Sequence, residues 1–126
     1  MPSVLTRRVE TVDARTTAGS LTFDGVVADW PDVVRAALHE LPLLTTTSLD
    51  DEQAFIVFRR RFAASSGIQL DFAVGPTGSR LNARSQSSSG LHVGVAAAAS
   101  AATWIHAPGP RLVGTLLDAI ATAAAR

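Results

Sequence analysis

The sequence predicts an α+β fold: an antiparallel β-sheet of about five or six strands with two main helices, residues 29–41 and 110–125, packed on one face. Three observations lead there. ADWPDVVRAALHELP and PRLVGTLLDAIATAAAR carry apolar residues one helical turn apart, IQLDFAV alternates apolar and polar residues with a strand's period, and turn-forming residues separate several further β-leaning stretches. A chain of 126 residues and 13.1 kDa fits a single domain spanning 1–126.

SVLTRRVETV, residues 3–12, has the composition of a strand. DARTTAGS reads as a turn, and LTFDGVV at 21–27 alternates, so the two stretches are expected to form an N-terminal hairpin. The first helix follows. Asp29 or Trp30 takes the cap position, Pro31 falls where a missing N–H costs nothing, Asp32 complements the helix dipole and Pro42 ends the element. Trp30, Val34, Ala37, Leu38 and Leu41 form its buried stripe, while Asp32, Arg35, His39 and Glu40 point outward or sideways.

LLTTTS at 43–48, a turn around residues 49–52 and the run QAFIVFRRRF read as a second hairpin. IQLDFAV at 68–74 puts Ile68, Leu70, Phe72 and Val74 on one face and Gln69 and Asp71 on the other. GPTG reverses the chain, and SRLNARSQ leads away with Leu81 and Ala83 inward, completing a four-strand meander over 43–86. SQSSSG is a short loop. The alanine-rich run after it favours helix over about 95–106, although Leu91, Val93 and Val95 alternate. The last helix starts at Pro110 and carries Leu112, Leu116, Ile120 and Ala124 about a turn apart.

With 47% hydrophobic and 17% charged residues the chain lies well inside the globular range. Its formal net charge is zero, so no global field draws it to nucleic acid or to an anionic membrane. All eleven basic residues are arginine, which with the abundant alanine fits a GC-rich, bacterial coding sequence and rules out lysine chemistry. Cysteine is absent, which excludes disulfides, thiolate metal sites and cysteine nucleophiles. The N-terminal stretch lacks the apolar run of a signal peptide, so a cytoplasmic location is expected.

Neutrality conceals an uneven layout. Residues 54–92 hold five arginines and one aspartate, whereas residues 16–52 hold seven acids and one arginine. The basic segment includes AFIVFRRRF, in which three arginines interrupt an apolar strand. Alternation puts Arg59 and Arg61 with Phe55 and Val57 on one face, and Arg60 with Ile56, Phe58 and Phe62 on the other. Hairpin pairing then brings Arg59 and Arg61 beside Gln69 and Asp71, and beyond them Arg80, Asn82 and Arg84. Arg59, Arg61, Arg80 and Arg84 are therefore the candidate donors for an anion or an acidic partner, because guanidinium forks match carboxylates and phosphates. The plainer reading is a solvated sheet surface, in which each ion pair contributes roughly 0–1 kcal/mol. Nucleic acid is not expected: tyrosine is absent and the few aromatics fall mostly on the core face, leaving no base-stacking platform.

Other chemistry finds little support. His39, His92 and His106 have no metal-ligand spacing, so no metal is expected, and no cofactor is implied. GPTGSR joins two strands, whereas a phosphate-cradling loop should precede a helix. The serines lack a nucleophile elbow, and Asp50 and Asp51 sit in a turn with nothing apolar around them. The alanine-rich run is too short and too interrupted to cross a membrane, so no membrane partner is expected.

So many alanines bury little area per residue, which association with a second chain would offset. Two functional readings remain. One is a non-enzymatic protein-interaction module, expected as a homodimer, that holds a protein partner on its sheet face or alanine-rich segment. The other is a small apolar-ligand binding protein, or a related enzyme, with a helix-over-sheet cavity lined by Ile56, Phe58, Leu70, Phe72, Trp104, Leu116 and Ile120.

Overall fold

The computed structural model describes residues 2–13, 16–58, 67–75, 78–86 and 109–126. Its elements run β1 (Val4–Asp13), β2 (Thr16–Phe23), α1 (Trp30–His39), β3 (Leu44–Leu49), β4 (Gln53–Phe58), β5 (Gly67–Val74), β6 (Ser79–Gln86) and α2 (Pro110–Ala124). The strands form one six-stranded sheet in the order β1-β2-β6-β5-β4-β3, every neighbouring pair antiparallel. This is the α+β architecture expected, with both helices against one side of the sheet.

The meander β3 to β6 follows from local signals. Asp50 closes its first turn by accepting hydrogen bonds at Oδ1 from the N–H groups of Glu52 (2.7 Å) and Gln53 (2.9 Å). At the β5–β6 turn the Gly75 N–H donates to the Gly78 carbonyl at 2.6 Å. Gly78 has φ +155°, and a Cβ there would lie 2.2 Å from the carbonyl oxygen of Phe23, so only glycine fits.

The N-terminal hairpin departs from expectation. Its second strand begins at Thr16, inside the stretch that reads as a turn, and ends at Phe23, so that Val26 and Val27 follow it. The cause is tertiary. A Cβ on Gly19 would come within 2.8 Å of Leu117 Cδ1 and 3.1 Å of Val113 Cγ1, so α2 crosses β2 at a distance that only a missing side chain permits. Small residues give this strand a turn-like composition. The β4 extension through Phe62 and the helix at about 95–106 fall outside the described residues.

α1 forms as its caps dictate. Asp29 Oδ1 accepts from the Asp32 N–H at 3.0 Å, proline occupies the first turn, and the helix stops at Glu40, just before Leu41 and Pro42. Trp30, Val34 and Ala37 are buried, and Leu38 and Leu41 pack partly buried against the core. α2 has no side-chain cap, no acid in its first turn and no base in its last, and Arg111 in the first turn opposes the helix dipole, so packing holds it. It buries Val113, Leu116, Leu117, Ile120 and Ala124 against β1, β2 and α1.

In β2, β5 and β6 alternate side chains enter one continuous core, joined by Ala54 and Ile56 of β4, that contains Leu21, Phe23, Ile56, Ile68, Leu70 and Leu81, while β1 adds only the partly buried Val9. Full burial of such a side chain contributes about 1.5–3 kcal/mol. Two serines on the inner side of β6 bind backbone beyond the two ends of the β2–β6 pairing: the Thr17 N–H donates to Ser85 Oγ at 2.7 Å and the Val27 N–H to Ser79 Oγ at 2.8 Å. They join segments 68 and 52 residues apart.

Candidate functional site

The side of the sheet away from the helices is the candidate site. β6 lies between β2 and β5, and its alternation sends Leu81, Ala83 and Ser85 inward while Arg80, Asn82 and Arg84 are exposed. The antiparallel register lays their neighbours out in rows. Thr22, Arg80 and Ala73 form one, Ser20, Asn82, Asp71 and Gln53 the next, and Ala18, Arg84, Gln69 and Phe55 a third. β1 extends the rows with Thr6, Arg8 and Glu10, opposite Thr22, Ser20 and Ala18. Strand rise separates the Cα atoms of Arg80 and Arg84 by about 13 Å.

Neither arginine faces an acid across the ladder, and Asp71 lies diagonal to both. Among the described residues Arg8, Arg80 and Arg84 make no ion pair. Arg7, on the helix side, shows the contrast: its Nε donates to Asp118 Oδ1 at 2.7 Å and its Nη2 to the Gly114 carbonyl at 3.3 Å. The amides and hydroxyls of the exposed side are partly tied to each other. Gln69 Nε2 donates to Gln53 Oε1 and to Asp71 Oδ1, each at 3.4 Å, and the hydroxyls of Thr6 and Thr22 share a hydrogen bond.

One aromatic interrupts this polar surface. The Phe55 ring covers Gly67, where a Cβ would sit 2.7 Å from Phe55 Cζ, and it remains half-buried. At the far end, beside Arg80, a pocket of 260 Å³ is lined by Thr22, Phe23, Ala73, Val74, Gly75, Gly78, Ser79 and Arg80.

Of the arginines singled out in the sequence, Arg80 and Arg84 thus share an exposed face with Gln69 and Asp71, while Arg59 and Arg61 lie outside the described residues. Sequence reasoning missed the contribution of Arg8, Ser20 and Thr22, which reach this face because β2 pairs with β6. Of the residues proposed to line a cavity, Ile56, Leu70, Phe72, Leu116 and Ile120 all belong to the core. Trp104 and the Phe58 side chain lie outside the described residues.

His39 is exposed at the end of α1, and His92 and His106 fall outside the description. Among the described residues no three His, Asp or Glu side chains converge as metal ligands. No described helix is long and apolar enough to cross a membrane.

No family model matches the chain, and no curated protein does. The crystal structure of CalU16 from Micromonospora echinospora is similar over 95% of this chain and 96% of its own, at 13% sequence identity and a TM-score of 0.38.

Proposed function

We propose that the chain is a non-enzymatic protein-interaction module whose exposed sheet face receives an acidic segment of a partner protein. The observation that carries this reading is the pair Arg80 and Arg84, exposed on the central strand β6 with no ion-pair partner among the described residues. Guanidinium groups held on a ladder are positioned before a partner arrives, so less rotamer freedom is lost on binding carboxylates than on a mobile loop. Phe55 adds the aromatic contact that protein interfaces favour, and Asn82, Gln69 and Gln53 supply a polar surround.

A fluorescently labelled poly-glutamate peptide tests this by anisotropy at low ionic strength. Binding should weaken at least about tenfold in Arg80→Glu/Arg84→Glu and fall as salt is added. Circular dichroism of the double variant should stay native, because both side chains are exposed. A peptide that binds parent and variant alike, or binds neither, sinks the proposal.

A further inference from the structure

The sheet has two edges among the described residues, and they differ. β3 is six residues long, LTTTSL, carries no charge and has a register irregularity between Thr46 and Ser48. β1 is ten residues long, VLTRRVETVD, and pairs with β2 on one side only. An edge of this length leaves a row of backbone N–H and C=O groups open to another strand. Val4, Leu5 and Val12, near its two ends, are 39%, 57% and 50% exposed.

We propose that β1 pairs antiparallel with β1 of a second copy of this chain, Arg8 of each lying opposite Glu10 of the other. Irregularities between Val4 and Thr6 and between Thr11 and Asp13 leave Thr6–Thr11 as the regular window for pairing. A two-fold axis normal to the sheet keeps both helical layers on one side, so each residue must face one of like orientation. Three central registers satisfy that condition. One sets Arg8 against Arg8 and another sets Glu10 against Glu10, and both are repulsive. The register between them sets Val9 on the axis and brings Arg8 and Glu10 together twice, once on each side of it.

Within its own chain Arg8 faces Ser20 and Glu10 faces Ala18, so neither meets an opposite charge across the ladder. Both belong to the exposed side of the sheet, and Arg7, held by Asp118 on the other side, is not required. β-Augmentation of this kind would join two six-stranded sheets into one.

Sedimentation equilibrium of the full chain reads the outcome. The parent should be a dimer, Arg8→Glu and Glu10→Arg should each shift it to monomer, and the charge-swapped Arg8→Glu/Glu10→Arg should restore the dimer. The swap excludes a folding defect as the cause, since it retains both substitutions. The chain has no cysteine, so Val9→Cys can form a disulfide only between two copies, and mild oxidation should cross-link it. A monomeric parent overturns the proposal. So does a dimer that tolerates both single reversals, or a swap that fails to reassemble. Mass alone decides here, independently of acidic-peptide binding.

Discussion

The indole of Trp30 stacks on the ring of Phe72, centroids 4.6 Å apart and planes inclined by 7°. Phe23 meets the same indole edge-on at 5.8 Å. The first residue of α1 is thereby clamped between β2 and β5, which the ladder does not bring into contact. Trp30→Ala should cost about 3–5 kcal/mol in urea unfolding, and Trp30→Phe distinctly less, because a ring remains to stack. A loss below about 1 kcal/mol for the alanine variant would show that the stack does not anchor the helix.

Two glycines at the crossing of α2 over the N-terminal hairpin should respond differently to alanine. At Gly19 the new methyl would press on Leu117 and Val113, both fully buried, and on the Arg8 carbonyl oxygen at 3.1 Å. That overpacking should cost about 1–3 kcal/mol. At Gly114 the nearest atom, at 2.8 Å, is Nη2 of Arg7, the end of a flexible side chain that is 41% exposed and able to swing aside. Helix propensity gains about 1 kcal/mol there, offsetting the disturbed Arg7 contacts, so Gly114→Ala should stay within about 1 kcal/mol of the parent. Thermal unfolding of both variants checks the contrast, and equal losses would refute it.

Ser79→Ala removes a small hydroxyl and leaves the Val27 N–H buried without its acceptor. Stability should fall by about 1–3 kcal/mol, more than the lost atom's size suggests, because an unsatisfied buried donor retains its full desolvation cost. Hydrogen exchange at the Val27 amide should accelerate while the amides of β4 change less. Unchanged protection at Val27 would mean that this hydrogen bond contributes nothing.

Much of the fold is legible because its signals are local. The Asp29 cap, the flanking prolines and the alternation of Ile68, Leu70 and Phe72 each lie within one short window, and the structure follows them closely. β2 is illegible for the opposite reason. Thr16 to Ser20 look like a turn partly because of Gly19, and the need for glycine there comes from Val113 and Leu117 at the far end of the sequence. The strand order is hidden likewise, since nothing within β2 says that its partner is β6.

The exposed face was legible in part. Alternation combined with hairpin pairing groups Gln69, Asp71, Arg80, Asn82 and Arg84, and the register agrees with it. Arg8, Ser20 and Thr22 could not be added, because their membership depends on the β2–β6 ladder, whose only signature is long-range.

Arg7 and Asp118, bonded in the folded protein, are 111 positions apart. During synthesis the hairpin therefore leaves the ribosome long before the helix that covers its greasy side. Leu21 and Val9 stay wet until α2 emerges, however readily the meander has closed by then. A nascent chain in that state offers both an open strand and an uncovered apolar surface, so stalled or truncated translation products should be the form of this protein most prone to clump.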